Sequence, residues 1–91
     1  MNSFLKIMVF KLQNCAPCEE LSSYLDSDEV DVLRDSIQTF YAEEDLPIFK
    51  QHRVSGTPQV IVVYNGVVFD RAKGYEACVN LIKRLLLVVG E

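Results

Sequence analysis

The segment Gly56-Thr57-Pro58-Gln59-Val60-Ile61-Val62-Val63-Tyr64-Asn65-Gly66-Val67-Val68-Phe69-Asp70-Arg71-Ala72-Lys73 leaves this chain little conformational choice. Two β-branched runs flank Tyr64-Asn65-Gly66, and Asn-Gly favours the positive φ values of a tight hairpin turn. They read as two antiparallel strands. Gly74 then breaks the pattern, and Cys78, Leu81, Ile82, Leu85, Leu86 and Val89 follow at i, i+3, i+4, i+7, i+8 and i+11. That spacing marks one apolar face of a final helix.

Upstream, Phe4 to Phe10 is a short, mostly apolar run that reads as a strand buried on both faces. It is followed by Asn14-Cys15-Ala16-Pro17-Cys18-Glu19-Glu20. Pro17 suits a first helical turn, and Cys18, Leu21, Tyr24 and Leu25 recur at helical spacing, with Glu19, Glu20, Ser22 and Ser23 on the other side. The acidic stretch Asp26 to Asp35 is poorly periodic and reads as a solvated helix end and loop, with the helix stopping near Asp26 or running on towards Leu33. Residues 36 to 43 alternate as a second strand. Asp45 is placed to cap a short helix from Leu46 to about Arg53, with Pro47 in its first turn.

The order is β-α-β-α-β-β-α, with the first two strands parallel through a right-handed crossover. A four-stranded mixed sheet flanked by three helices is expected. With 91 residues there is room for one core, so residues 1 to 91 are read as a single domain. Nine Lys and Arg against thirteen Asp and Glu, without a basic cluster longer than Lys83-Arg84, disfavour nucleic-acid binding. The apolar opening is interrupted by Lys6 and Lys11 and lacks a cleavage site, so neither a secretory signal nor a membrane association is expected. Three cysteines cannot all pair within one chain. A reducing, cytoplasmic setting fits that count, and there a C-x-x-C pair is catalytic or metal-binding before it is structural.

Residues three apart at a helix start lie with Cβ atoms roughly 5 to 6 Å apart, and a modest adjustment brings them to the roughly 3.5 to 4.5 Å of a disulfide. Cys15 sits where the helix offers unpaired N–H groups and the positive end of its dipole, which favour a thiolate. It is the expected nucleophile. Cys18, on the apolar side, would resolve the mixed disulfide. Glu19 and Glu20 oppose a neighbouring thiolate, and screening moderates that effect. A zinc clip would need a second half, and only Cys78 and His52 remain, so no metal is expected. Cys78 and His52 themselves read as a core residue and a surface residue. Tyr41, Tyr64, Phe40, Phe49 and Phe69 read as core or sheet-face aromatics.

These residues together resemble the thioredoxin superfamily. Cys15-Ala16-Pro17-Cys18 at a strand-to-helix junction resembles the C-G-P-C motif, and Val54-Ser55-Gly56-Thr57-Pro58-Gln59 resembles the segment around the family's cis-proline, with Gly74 at the expected spacing. The resemblance spans about residues 2 to 89. It implies a thioredoxin-like fold and a cis Thr57-Pro58 peptide beside the cysteines. It also implies a shallow groove lined by Ala16, Pro17, Thr57, Gly74 and Tyr75 that would accept an extended substrate.

The activity implied is reduction of protein disulfides by a monomer without a bound cofactor, recharged by a thioredoxin-reductase-type flavoprotein or by glutathione. Two alternatives stand beside it. One is a glutaredoxin-like electron donor, for example to ribonucleotide reductase; the other is a non-catalytic accessory subunit. The glutaredoxin option is weakened by Ala16 after the first cysteine and by Lys73-Gly74-Tyr75-Glu76 in place of a Gly-Gly pair. Three departures from thioredoxins concern the site directly: Asn14 stands where they have tryptophan, Val9 where they have a buried aspartate, and Thr39 near the place of its partner lysine. Water or a carboxylate such as Glu43 would then have to accept the Cys18 proton.

Overall fold

The computed structural model describes residues 4–89, which form four strands and three α-helices in the expected order. Strands β1 (Leu5–Lys11), β2 (Ile37–Tyr41), β3 (Gln59–Tyr64) and β4 (Val67–Lys73) make one sheet in the order β2-β1-β3-β4. Only β1 and β2 are parallel; β1–β3 and β3–β4 are antiparallel. The hairpin turn falls on Asn65 and Gly66, with φ of 54° and 81°. These left-handed values are the ones that Asn and Gly tolerate best.

Helices α1 (Ala16–Leu25) and α3 (Tyr75–Val89) cover one face of the sheet. Along β1 the side chains alternate, so Leu5, Ile7 and Val9 join Leu21, Leu25, Leu81 and Ile82 in the larger core. Met8 and Phe10 point the other way, to Phe49 of helix α2 (Leu46–Gln51) and Ile61 of β3. Phe10 meets Phe49 edge-on at 5.0 Å and Phe40 at 5.4 Å. β1 is thus buried on both faces, as its apolar run requires.

The acidic stretch after α1 departs from the expected loop. The helix stops at Leu25, and a 3-10 helix follows over Asp28–Ser36. Val30 and Leu33 at i and i+3 are fully buried, while Asp28, Glu29 and Asp31 face water. The eclipsed i, i+3 spacing of a 3-10 helix turns these two apolar residues inward together. Arg34 ties this segment to α1, donating to the carbonyls of Leu25 and Ser27.

Two local expectations are also corrected. Asp45 makes no side-chain cap to α2; its carboxylate accepts the Tyr41 N–H at 3.1 Å and closes the turn after β2. Ser22 is not on the solvent side of α1 but half-buried against the sheet. Phe69, read as a core or sheet-face aromatic, lies on edge strand β4 and is 70% exposed, lining a surface groove with Val62, Leu85 and Val88.

Candidate redox site

β1 runs straight into the cysteine loop. After Lys11 the chain turns through residues 12 to 14, and Asn14 takes φ 56°, a left-handed backbone that asparagine adopts more readily than most residues. The exposed Glu43 carboxylate steadies this turn by accepting the Gln13 N–H at 3.1 Å. Its contact is with the loop before Cys15, at the surface, whereas Cys18 is buried. Cys15 is the N-cap of α1: its sulfur accepts the Cys18 N–H at 3.3 Å, and its carbonyl accepts the Glu19 N–H at 3.0 Å. Pro17 occupies the first turn, where its missing N–H costs nothing.

Cys15 and Cys18 are joined as a disulfide, with Cα atoms 5.2 Å apart. The two sulfurs differ in surroundings: Cys15 is partly exposed, and Cys18 is 1% exposed under the helix. Ala16 and Pro17 are exposed beside them.

The second component comes from the far half of the chain. The Thr57–Pro58 peptide is cis, and Thr57 Oγ1 lies 3.8 Å from Cys15 Sγ. Pro58 is buried, and its carbonyl accepts the Gly74 N–H at 2.8 Å, which fixes the loop to the end of β4. Gly74 holds φ 93°, the reason that a glycine stands there. Gln59 is buried next to Pro58; oriented by its neighbours, its amide donates to the Gly56 carbonyl at 3.3 Å and accepts from Arg71 at 2.6 Å. Tyr75 packs against the larger core and is partly exposed. Cysteine pair, Thr57, Pro58 and Gly74 are therefore contiguous, and Tyr75 begins α3 beside them.

Two neighbours of the site were not foreseen as such, although Cys78 lies in the core as expected. Cys78, on α3, points its thiol at the Pro58 carbonyl, 3.8 Å away, and burial pushes its pKa up to about 11. Lys11, the last residue of β1, is only 8% exposed and donates to the Ser22 hydroxyl. Its signal was the strand period: Ile7 and Val9 face the core, so residue 11 does too. Among the described residues, no group of three or more His, Cys, Asp and Glu side chains is arranged to hold a metal, and no helix is long and apolar enough to cross a membrane.

The backbone can be compared with solved structures. Thioredoxin from Fasciola hepatica superposes with a TM-score of 0.76 at 16% identity, covering 91% of this chain and 82% of that one. Thioredoxin from Trypanosoma brucei brucei gives 0.78 at 16% identity, over 99% and 79%.

The chain has the thioredoxin fold.

Mitochondrial thioredoxin 3 from Saccharomyces cerevisiae, in its oxidized form, gives 0.68 at 18% identity, over 92% and 80%. No protein-family model matches the sequence, and no curated protein matches it. At these identities the likeness concerns the fold, and the chemistry rests on the residues themselves. A thioredoxin fold carrying a bonded C-x-x-C pair at a helix start supports thiol-disulfide oxidoreductase chemistry in general.

Proposed function

We propose that this protein reduces disulfides of other proteins by dithiol exchange. The observation that carries the reading is the asymmetry of the pair: Cys15 is partly exposed at the helix N-cap beside Thr57, and Cys18 is buried behind it. In the reduced protein the Cys15 thiolate attacks a substrate sulfur, forming a mixed disulfide and expelling the other substrate sulfur as a thiolate. Cys18 then loses its proton and attacks Cys15 Sγ, so the Cys15–Cys18 bond forms and the substrate leaves with two reduced sulfurs. Unpaired N–H groups at the start of α1 favour the thiolate of Cys15 in the first step.

The backbone next to Pro58 and the exposed Ala16 and Pro17 suit an extended substrate segment lying across the disulfide, with Gly74 and Tyr75 at its border. A monomeric, cytoplasmic protein recharged by a flavoprotein reductase, or by glutathione, is the setting that this role requires.

The direct test is turnover of an insulin-type disulfide substrate with dithiol, flavoprotein reductase or glutathione as the electron source. Turnover that vanishes in Cys15→Ser supports the proposal. Full turnover in that variant, or none in the parent with any reductant, sinks it, and retained partner binding without turnover would point to an accessory subunit.

A further inference from the structure

β1 delivers an unusual residue to the underside of the redox helix. Lys11 continues the inward row of Ile7 and Val9, both 0% exposed, and is itself 8% exposed. Lysine is almost never buried this far unless paired. Yet the ion pairs among the described residues involve Arg34 and Arg84, not Lys11. Its ammonium donates instead to Ser22 Oγ, and the Ser22 hydroxyl donates in turn to the Cys18 carbonyl at 3.1 Å. The ring of Tyr41, paired opposite Lys11 on β2, lies 5.9 Å from Nζ.

Cys18 and Ser22 are four apart on α1, and such residues are neighbours on one helix face, about 5 to 6 Å between Cβ atoms. A cation with no carboxylate bound to it is therefore held by a hydroxyl one helical turn from Cys18, on the same face of α1. The titratable groups that face it are Asp26, at the C-cap of α1, and Tyr41 from β2, while Cys18 is reached through Ser22. Asp26 is largely exposed and also lies 4.0 Å from Arg34, so its charge is shared and screened. Burial lowers the Lys11 pKa and Asp26 opposes that, which leaves the site responsive to a new negative charge.

We propose that Lys11, anchored through Ser22 to the carbonyl of Cys18, is a positioning residue that stabilises the thiolate of the reduced cysteine pair and raises its reduction potential at neutral and alkaline pH. The inference rests on the redox reading of Cys15 and Cys18. Reduction by an external dithiol breaks the Cys15–Cys18 bond and transfers two electrons, and the dithiol becomes a disulfide. The neutral disulfide is replaced by two sulfurs carrying protons or negative charge. Wherever one of them is a thiolate, the ammonium favours the reduced side. Where both are thiols, it has little to act on.

The test is the redox equilibrium of the full chain against reduced and oxidised dithiothreitol, from about pH 5 to about pH 9, a span across the ordinary cysteine range. Lys11→Met is expected to favour the disulfide by about three- to tenfold at the upper end, roughly 14 to 30 mV lower in potential, and to converge with the parent at the lower end. Lys11→Arg should stay with the parent, and Ser22→Ala should move in the direction of Lys11→Met by less. A gap that is absent or the same at every pH overturns the proposal, as does an arginine variant displaced as far as the methionine one. Should Lys11→Met not fold, Ser22→Ala decides: parent behaviour at every pH overturns it. Insulin turnover measured alongside separates the two readings, since loss of the gap with intact turnover sinks only the role of Lys11.

Discussion

The Cys78 thiol donates towards the carbonyl oxygen of Pro58, 3.8 Å away, so the one free cysteine among the described residues lies directly behind the loop that faces the redox pair. It is fully buried and also approaches the Ala72 carbonyl at 3.5 Å. Two elements of the C-terminal half thereby converge on one side chain.

That burial has a pH signature. Cys78 is held protonated up to about 11 against an ordinary 9.0. Between those values the unfolded chain has released the proton and the folded chain has not, so stability falls as pH rises through the window. Burial, with a hydrogen bond to Glu29, also raises the Tyr24 pKa, and it adds to the loss at higher pH. Urea midpoints at about pH 8 and pH 10 should show Cys78 contributing a loss on the order of 1 kcal/mol. Cys78→Ala should be less stable at the lower pH but flatter between the two.

Three glycine positions should respond differently to alanine. Gly74 and Gly66 have open space around an added Cβ but φ values of 93° and 81°. Each substitution should cost about 1 to 2 kcal/mol through the backbone. Gly56 has an ordinary φ, and its added Cβ would come within 2.5 Å of Lys73 Cε, a mobile side chain able to swing away. Thermal unfolding should rank Gly56→Ala as the mildest of the three.

The 3-10 helix supplies a test of its own. Leu33→Ala removes a side chain with 0% exposure and should destabilise by about 2 to 5 kcal/mol, whereas neighbouring Val32, 61% exposed, should tolerate alanine within about 0.5 kcal/mol. Chemical denaturation of the two variants measures both. Equal costs would contradict the inward turn of this segment.

Cys18→Ser should leave Cys15 able to attack but unable to be released. Incubation with a disulfide-containing protein is expected to accumulate a mixed disulfide through Cys15, visible on a non-reducing gel and absent from Cys15→Ser.

Much of this molecule could be read from residue order. The Asn65-Gly66 turn, the apolar face of α3 and the helix start at Cys15 are local signals, each set by neighbours within a few residues, and the structure has all three. The 3-10 helix was not legible because its burial depends on two residues, Val30 and Leu33, among charges that mask any α-period. Asp45 looked like a cap, but its carboxylate accepts the Tyr41 N–H four residues back, so the turn after β2 claims it before α2 can. Contacts between helix and sheet were the hardest to foresee. The strand period gave the inward side of Lys11, but that Ser22 would meet it is decided only when α1 lies down on β1.

The central seam of the sheet joins two pieces of chain that are otherwise local. β1, α1 and β2 form one contiguous stretch, β3, β4 and α3 another, and the pairing of β1 with β3 brings residues such as Val9 and Val60 together across half the sequence. Cys15 and Cys18 belong to the first piece, and Thr57, Pro58 and Gly74 to the second or its threshold. A nascent chain that has emerged only as far as β2 therefore carries both sulfurs of the pair without the Thr57-Pro58 segment that lies against them. The complete site is something that this protein acquires at the docking of its halves, not something that its motif possesses alone.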